Sequence, residues 1–386
     1  MTPNPPSRKY NIAFLIDGLG MGGAERMMIP ILKQLRGEDF EPRVAVFQAR
    51  EGNPIAKDLQ ALGITVDYFP IPYLRDVGAV LRLVKYFKQT KTDLVHTQLE
   101  LADSLGSIAS KWARLPSVST LHTMPSQDMR LKSWAHQTIE FWSLRLFCDR
   151  VISVAEEARQ YHLKISGAPE KQNITIYNGI DLTRFAHLDG TRDALRRELG
   201  IPSDAEVLTT LAVLRQPKGI QFMIQAMPAV LEARPKAVYL VAGDGSHRAA
   251  LEEEARRAGV DRSVIFAGMR SDVPRILAAS DVFVLPTLTE ALPTVLAEAM
   301  ACRLPIVASA VGGVPEMVTD GENGKLVQPA RPDELSRACV ELLSNPALRE
   351  QMSRRGWEIV NDKFNVKGQV ERLKELYRGL IKQYGR

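Results

Sequence analysis

The segment Asp281–Ala301, DVFVLPTLTEALPTVLAEAMA, opens with a strand-length apolar run and continues into a helical pattern. Pro293 suits the first turn of that helix, because the N–H that proline lacks would have no intrahelical partner there. Two carboxylates, Glu290 and Glu298, lie eight positions apart across the loop and the helix. A strand that leads through a short loop into a helix is one step of a parallel α/β sheet, so the segment predicts this class of fold.

Short apolar runs alternate with helix-length amphipathic patterns along the rest of the chain. The runs are NIAFLI, RVAVFQ, TVDYF, LVHTQ, VSTLH, RVISVA and ITIY before residue 181, and VLTTLAVL, AVYLVAG, SVIFAG, DVFVLPT, PIVASA and GKLVQP after residue 205. The stretch 181–206 between the two series is rich in Gly, Pro, Asn and Asp, which marks a domain boundary. We predict two doubly wound, Rossmann-like α/β domains, 1–182 and 183–365, and a C-terminal helix, 366–386, that returns to the first domain. Ligands bind beyond the carboxyl ends of parallel strands, so a cleft between the domains is the expected site.

Composition excludes several classes of protein. The 386 residues are 45% hydrophobic and 25% charged, which is ordinary for a globular chain. Cys148, Cys302 and Cys339 have neither the number nor the spacing of a disulfide framework or a zinc site. Neither a secretory signal nor a membrane-spanning run is apparent, so we expect a cytoplasmic protein. The net charge of +5 favours an anionic small molecule or a membrane surface over nucleic acid.

The spacing of Glu290 and Glu298 indicates an extended ligand. Eight residues at about 1.5 Å each separate their Cα atoms by roughly 12 Å, which exceeds the separation in a glycosidase carboxylate pair. The free N–H groups of the helix N-terminus between them favour an anion such as a diphosphate. A sugar on one side and a ribose on the other would give each carboxylate hydroxyl groups to bind. For the spacing alone, a helix-dipole contact at Glu290 and a solvated Glu298 are the better explanation.

Arg215 and Lys218 follow the first strand of the second domain, three residues apart. Two cations at the carboxyl end of a strand can clamp a diphosphate and stabilise the charge on a departing nucleotide. An exposed turn with two solvated cations is the simpler explanation for an isolated pair. If both cations face the N-terminus of the helix that contains Glu298, the diphosphate-binding interpretation is favoured.

Gly18, Gly20 and Gly23 fit the G-x-G-x-x-G pattern after the first strand. A dinucleotide-binding loop also needs an acidic residue at the end of the second strand, where this chain has Gln48 and Arg50. NAD is therefore disfavoured, whereas Arg50 leaves NADP open.

Several further segments accompany the glutamate pair in order along both domains. They are GGAE (Gly22–Glu25), NGID (Asn178–Asp181), RQPKG (Arg215–Gly219), AGDG (Ala242–Gly245), FAG (Phe266–Gly268), EALPTVLAE (Glu290–Glu298) and GGVPE (Gly312–Glu316). With these segments the chain resembles the retaining glycosyltransferases of the GT-B fold, specifically family 4. The resemblance implies transfer of a hexose, with retention, from a UDP- or GDP-sugar to a saccharide, lipid-linked or small-molecule acceptor. No cofactor is implied.

The resemblance also implies roles for residues of the second domain. Glu298 binds the ribose hydroxyls, Glu290 binds the transferred sugar, and Arg215 and Lys218 neutralise the diphosphate. The family has Gly after the first Glu of the pair, and this chain has Ala291. The remaining donor contacts implied are the backbone of Leu292, Pro293 and Thr294 near the phosphates, and Met269 and Arg270 around the nucleobase.

In the first domain, the resemblance implies that Gly22 and Gly23 approach the donor phosphate or the acceptor. Glu25 then caps the helix that follows. His122 contacts the transferred sugar, which makes it a catalytic candidate beside Glu290, Arg215 and Lys218. His96 and Gln98 line the acceptor side. Both histidines end predicted strands, although a structural role is common for a single histidine.

Three further points remain open in the sequence. No D-x-D motif occurs, so we predict catalysis without a metal ion. The segment 129–147 concentrates Trp134, Phe141, Trp142, Leu144 and Phe147 beside basic residues, which indicates either a membrane-surface helix or a helix buried on the sheet. Alternatives to a transferase are an NADP-dependent oxidoreductase, a nucleotide-sugar epimerase and a non-catalytic nucleotide-binding protein of the same fold.

Overall fold

The structure is a computed structural model, and it describes residues 8–20, 23–48, 53–71, 73–74, 76–122 and 134–385. The chain divides into two compact units. Unit 1 comprises Met1–Gly179 and Val366–Arg386, and unit 2 comprises Ile180–Asn365. The divisions thus lie at 179/180 and 365/366, where the sequence predicted 182/183 and 365/366.

Unit 1 is built on a parallel sheet. Its strands are β1 (Tyr10–Ile16), β2 (Phe40–Val46), β3 (Thr65–Tyr68), β4 (Leu94–Gln98), β5 (Ser117–Leu121), β6 (Arg150–Ser153) and β7 (Asn173–Thr175). They are arranged in the order β3-β2-β1-β4-β5-β6-β7, with parallel pairing throughout. Side chains on both faces of β4 and β5 are buried, as expected for strands covered by helices on either side.

Helices cover both faces of this sheet. They are α1 (Gly23–Leu35), α2 (Pro54–Ala61), α3 (Val77–Gln89), α4 (Glu100–Trp112), α5 (Trp134–Phe147) and α6 (Glu156–Ser166). One apolar core joins α1 and α2 to β1 and to residues of the C-terminal helix, Val366–Gln383. A second core joins α3 and α4 to the opposite face of β1 and β4. The described part of unit 1 is therefore a three-layer α/β sandwich.

Unit 2 has a parallel sheet of the same kind. Its strands are β8 (Glu206–Leu211), β9 (Ala237–Ala242), β10 (Val264–Gly268), β11 (Val282–Leu285), β12 (Ile306–Ser309) and β13 (Gly324–Val327). The strand order is β10-β9-β8-β11-β12-β13. Each strand coincides with a run predicted from the sequence, and the predicted class of two doubly wound α/β domains is confirmed.

The helices of unit 2 follow its strands in alternation. They are α7 (Thr191–Glu198), α8 (Ile220–Ala233), α9 (Arg248–Arg257), α10 (Val273–Ala278), α11 (Thr294–Ala301), α12 (Val314–Met317), α13 (Pro332–Ser344) and α14 (Pro346–Lys363). The last helix of the chain, α15 (Val366–Gln383), belongs to unit 1. Among the described residues, no helix is both long and apolar enough to cross a bilayer.

Candidate donor and acceptor sites

The switch point of unit 2 lies between β8 and β11. The chain adds β9 and β10 on one side of β8, and then β11, β12 and β13 on the other. In an open parallel sheet, a ligand is expected beyond the carboxyl ends of the strands at such a switch point. Arg215 and Lys218 follow β8, and Glu290 follows β11. The sheet thus brings these three predicted residues to one edge.

Gly219 allows the loop after β8 to contact the loop after β11. A Cβ atom at this position would lie 1.8 Å from the carbonyl oxygen of Pro286, and the φ of +68° is in the left-handed region. The amide of Leu288 donates to the carbonyl oxygen of Pro217 at 2.8 Å. Only glycine satisfies both the spacing and the backbone angle, so the segment 215–219 is fixed against the segment that carries Glu290.

Gly312 has the same function on the other side of Glu290. A Cβ atom at Gly312 would lie 1.7 Å from the carbonyl oxygen of Glu290, and its φ is +53°. The amide of Gly313 donates to the carbonyl oxygen of Ala291 at 3.0 Å. Ala291 itself is outside the left-handed region. Its backbone therefore needs no glycine, and the departure from the family pattern does not strain this turn.

A direct ion pair joins two of the predicted donor-site residues. Lys218 Nζ donates to Glu290 Oε1 at 2.6 Å, and the side chains are 29% and 14% exposed. Arg215 is exposed and forms no ion pair within the described part of the chain. The site thus has one cation held by a carboxylate and a second that is available to an anion.

The N-terminus of α11 follows Glu290 directly. Pro293 occupies the cap position, and no side chain caps the first turn. Leu292, two positions before the helix, is buried in the packed interior. The helix itself begins at Thr294. An uncapped helix N-terminus carries a partial positive charge that suits a phosphate group.

Glu298 lies on α11, and its side chain is largely buried. Arg184 Nη1 approaches Glu298 Oε1 at 4.0 Å from the short helical turn Leu182–Phe185. Sequence reasoning did not identify Arg184, although it follows the NGID segment by three positions. A cation thus lies beside the carboxylate that the sequence predicts to bind the ribose.

Met269 and Arg270 follow β10 at the same edge of the sheet. Met269 is highly exposed. The Arg270 guanidinium donates to both carboxylate oxygens of Asp272, at 2.8 and 2.6 Å, and to Glu198 at 2.7 Å. These hydrogen bonds, led by those to Asp272, raise the pKa of Arg270 above its usual range. The Arg270 side chain is therefore bound to protein carboxylates. The backbone of Arg270 directly follows that of the exposed Met269.

The glycine loop of unit 1 contains an unexpected carboxylate. A Cβ atom at Gly20 would lie 2.9 Å from Glu25 Oε1, so the Glu25 side chain folds back over this loop. Gly23 begins α1 and has open space around it, and Gly22 lies outside the described residues. A carboxylate against the loop repels the pyrophosphate of a dinucleotide, which argues against the NADP interpretation.

His96 differs from its predicted position. It lies in the middle of β4, is 2% exposed, and contacts protein through both ring nitrogens. Nδ1 pairs with the hydroxyl of Tyr377 on α15, and Nε2 with Thr120 Oγ1 at 2.7 Å. Burial lowers its pKa to about 3, so the ring is neutral at physiological pH. The prediction that His96 reaches the strand end is corrected, since its contacts support a structural role.

Gln98 and His122 retain unpartnered polar atoms. Gln98 ends β4, and His122 follows the last residue of β5. Within the described part of the chain, neither Gln98 Oε1 nor His122 Nε2, both of which are buried, has a hydrogen-bond partner. Burial lowers the pKa of His122 to about 4, so the imidazole is neutral at physiological pH. Such atoms at the carboxyl edge of a sheet are suited to the hydroxyl groups of a ligand.

Two carboxyl groups, the half-buried Asp17 and the buried Asp103, organise the same edge of unit 1, and the sequence alone did not reveal them. Asp17, after β1, accepts from the amides of Leu101 and Ala102 at 3.0 and 2.7 Å and so caps α4. Asp103, on α4, accepts from Thr97 and Ser119 at 2.6 Å each. Burial, followed by the charge of nearby Glu140, raises the pKa of Asp103 well above its usual range. Asp103 thus links α4 to β4 and β5.

Comparison with known proteins agrees with this arrangement. Residues 191–358 match the family described as Glycosyl transferases group 1, and residues 21–184 match Glycosyltransferase Family 4. A D-inositol 3-phosphate glycosyltransferase of Thermomonospora curvata is 30% identical over 324 residues, 74% of this chain and 71% of the relative. The chain belongs to the group 1 glycosyltransferases. These matches confirm the family that the sequence motifs of this glycosyltransferase predict.

Other relatives cover nearly the whole glycosyltransferase chain. The Escherichia coli UDP-Gal:alpha-D-GlcNAc-diphosphoundecaprenol alpha-1,3-galactosyltransferase is 26% identical over 94% of this chain and 95% of that protein. The crystal structure of Anabaena HepE in complex with UDP has a TM-score of 0.86 at 26% identity, over 96% of this chain and 100% of HepE. These similarities support the GT-B fold and glycosyltransferase activity, and they do not favour the oxidoreductase alternative.

Proposed function

We propose that this glycosyltransferase transfers a hexose from a UDP-hexose to a lipid-linked saccharide acceptor, with release of UDP and retention of the anomeric configuration. The observation that carries the proposal is the Lys218–Glu290 ion pair directly before the uncapped N-terminus of α11. A cation, a carboxylate and a helix N-terminus in sequence suit the diphosphate and the sugar of a nucleotide sugar. HepE supports UDP as the nucleotide, since its structures contain UDP, UDP with glucose, and UDP-glucose.

Donor binding in this proposal uses both ends of α11. Arg215, Lys218 and the backbone from Leu292 to Thr294 hold the diphosphate, and Glu298 accepts hydrogen bonds from the ribose hydroxyls. Glu290 accepts from hydroxyls of the transferred sugar. The exposed position of Met269 supports a contact of the 269–270 backbone with the nucleobase, while the Arg270 side chain stays bound to Asp272 and Glu198.

The transfer step breaks the bond between the anomeric carbon and the diphosphate oxygen. The acceptor oxygen forms its bond to the same carbon on the same face, and its proton passes to the departing phosphate. Arg215 and Lys218 stabilise the charge that develops on the leaving group. No metal ion is required in this proposal, because these cations and the helix N-terminus supply the stabilisation. His122, which is neutral, contacts the sugar through its unpartnered Nε2.

The acceptor side of the proposal rests on unit 1. Gln98 ends β4, opposite the last residue of β1, and its Oε1 has no hydrogen-bond partner among the described residues. His96, two positions before Gln98 on β4, anchors this strand through its contacts with Tyr377 and Thr120. The relative from Escherichia coli acts on a diphosphoundecaprenol-linked acceptor, which supports a lipid-linked saccharide. Peripheral membrane contact through residues 129–147, on the cytoplasmic side, belongs to the same proposal.

Thermal unfolding with a panel of nucleotides tests the donor assignment. UDP, GDP, ADP, TDP and NADP are compared at one concentration, because a ligand that binds only the folded state raises the melting temperature. We expect the largest shift with UDP and no shift with NADP. A shift with GDP alone would replace the nucleotide in the proposal. A shift with NADP alone would move the ligand to the glycine loop and overturn the transferase mechanism.

A further inference from the structure

One face of unit 1 consists of a layer of three helices. α4 packs against both α3 and α5, and side chains of α3 and α4 share an apolar core with one face of β1 and β4. Leu144 of α5 packs with Leu121 and Val151 on the same face of the sheet. The outward side of α3, α4 and α5, here called the α3–α5 face, is turned away from this core.

The carboxyl ends of α3 and α4 form a basic cluster on this face. α3 ends four residues before β4 and α4 ends four residues before β5, and these strands are neighbours. Both helix ends therefore lie at the amino-terminal edge of the unit 1 sheet, opposite the edge at which Gln98 and His122 lie. Five exposed cations lie there, and none forms an ion pair with a described residue: Lys85, Lys88, Lys91, Lys111 and Arg114.

The α3–α5 face also carries large, exposed apolar side chains. Leu81 and Trp112 are each 61% exposed, on α3 and at the end of α4. Ile139, Trp142 and Leu146 recur at intervals of three and four along α5, so they form one stripe, and they are between 45% and 57% exposed. The guanidinium of Arg145 lies 5.3 Å from the centre of the Trp142 ring. The face is therefore both basic and apolar.

Carboxylates are scarce on the α3–α5 face. The sequence has no Asp or Glu from 77 to 91 or from 111 to 115, and only Glu140 from 138 to 147. Asp76, before α3, is engaged by Arg82. The whole chain is close to balanced, with 50 basic and 45 acidic residues, so this concentration is local. A surface of this composition complements a negative charge.

We propose that the α3–α5 face docks on an anionic lipid bilayer. Lysine and arginine near an anionic membrane each strengthen partitioning about fivefold. Tryptophan and aliphatic side chains enter the headgroup region, which gives a contribution that a soluble polyanion cannot offer. This inference extends the membrane contact suggested for 129–147 to α3 and α4, and it does not depend on the transfer chemistry.

Flotation of the full chain with vesicles tests the proposal. Vesicles of phosphatidylcholine alone are compared with phosphatidylcholine containing a quarter phosphatidylglycerol. The test variant carries Lys85→Glu, Lys88→Glu, Lys111→Glu and Arg114→Glu. The control variant carries four exposed cations changed in the same way on α1, α2 and α15, which cover the other side of the sheet: Lys33→Glu, Lys57→Glu, Lys367→Glu and Lys382→Glu.

We expect wild type to bind the anionic vesicles much more tightly than the neutral ones. The α3–α5 variant should lose at least 100-fold in partitioning, and the control variant only a few-fold. Equal losses in both variants, equal binding to neutral vesicles or no vesicle binding would overturn the proposal. Tighter binding of a single-stranded RNA than of anionic vesicles would assign the face to a polyanion instead.

A second variant tests the apolar contribution. Leu81→Ser with Trp142→Ser should leave the response to anionic lipid but lose about tenfold in partitioning at high salt, where screening removes the charge contribution. Unchanged high-salt partitioning would overturn the role of the apolar residues. The thermal shift with UDP should be retained in every variant, which checks folding. Because the UDP shift and vesicle binding are measured separately, failure of docking is distinguishable from failure of the proposed transfer function.

Discussion

Lys218 and Glu290 lie 72 positions apart in the sequence, yet Lys218 Nζ donates to Glu290 Oε1 at 2.6 Å. Each belongs to a loop that leaves the carboxyl end of a different strand, β8 or β11. The pair is only partly exposed, so neither charge is fully solvated. An incoming diphosphate therefore competes with Glu290 for Lys218, and the sugar hydroxyls compete with Lys218 for Glu290.

Lys218→Ala tests the leaving-group role. Removal of a cation that stabilises developing charge should lower kcat on the order of 10²- to 10³-fold, and the affinity for UDP should fall because a diphosphate contact is lost. Steady-state kinetics and calorimetric titration of UDP measure the two effects. Gln225→Ala, at an exposed position on α8, is the control. A kcat within threefold of wild type would contradict the role.

Glu290→Gln and Glu298→Ala should separate the two ends of the donor. Glu290→Gln keeps the shape but weakens acceptance from sugar hydroxyls, so turnover should fall at least 10-fold while the Kd for UDP changes less than threefold. Glu298→Ala removes the ribose contact, so the Kd for UDP should rise at least 10-fold. Equilibrium titration and initial rates distinguish them. The same effect of both variants on UDP affinity would show that the two roles are not divided in this way.

Gly219→Ala tests the contact between the two loops. A Cβ atom would clash with Pro286, and the left-handed backbone costs about 1 kcal/mol for alanine even without a clash. Gly190 provides a matched control, because its φ is +69° and nothing lies within 4 Å of an added Cβ. Gly190→Ala should lower stability by about 1 kcal/mol and leave UDP binding unchanged. Gly219→Ala should lower stability further and weaken UDP binding; equal behaviour of the two variants would contradict a structural role of the contact.

Retained activity after metal removal is the expected result for an enzyme that relies on Arg215, Lys218 and a helix N-terminus. Initial rates should change less than twofold after treatment with excess EDTA and removal of the chelator. Addition of Mg²⁺ or Mn²⁺ to the treated enzyme should have no larger effect. Full loss of activity that Mg²⁺ restores would require a metal ion at the diphosphate and would overturn metal independence.

The fold could be predicted from the sequence because each strand and helix is specified locally. Parallel strands covered on both sides are continuous apolar runs, as in β9, and the intervening segments have helical periodicity. The helix that carries Glu298 also followed from local rules, because its apolar pattern is continuous in the sequence. Arg215 and Lys218 could be assigned to the edge of the sheet because they directly follow a strand.

Contacts between distant parts of the chain could not be predicted in this way. His96 pairs with Tyr377, 281 positions away on α15, so the sequence around His96 gave no sign that its ring was already engaged. Asp17 caps α4 from the end of β1, 84 positions from Leu101. Asp103 lies in the first turn of α4, where an aspartate is most often solvated. Its burial depends on the packing of α4 against β4 and β5, which only the tertiary structure reveals.

Asp103→Asn should change how stability depends on pH. The pKa of Asp103 is raised, chiefly by burial, so between the unfolded value near 4 and the higher folded value the native state holds more protons than the unfolded state. Its contribution to stability is therefore fully present below about pH 4 and is lost as pH rises toward the folded pKa, by up to about 1.4 kcal/mol per pH unit. Asparagine has no such titration and keeps an oxygen that can accept from Thr97 and Ser119.

The measurement is the difference in unfolding free energy between Asp103→Asn and wild type from pH 4.5 to 8. The depressed pKa values of His96 and His122 make both proteins less stable as pH falls below about 6.5, and this effect cancels in the difference. We expect Asp103→Asn to gain stability relative to wild type as pH rises. Asp58→Asn, at an exposed position on α2, should give a difference that stays constant. A constant difference for Asp103→Asn as well would mean that the buried carboxyl is ionised throughout, with its charge balanced by the hydroxyls that surround it.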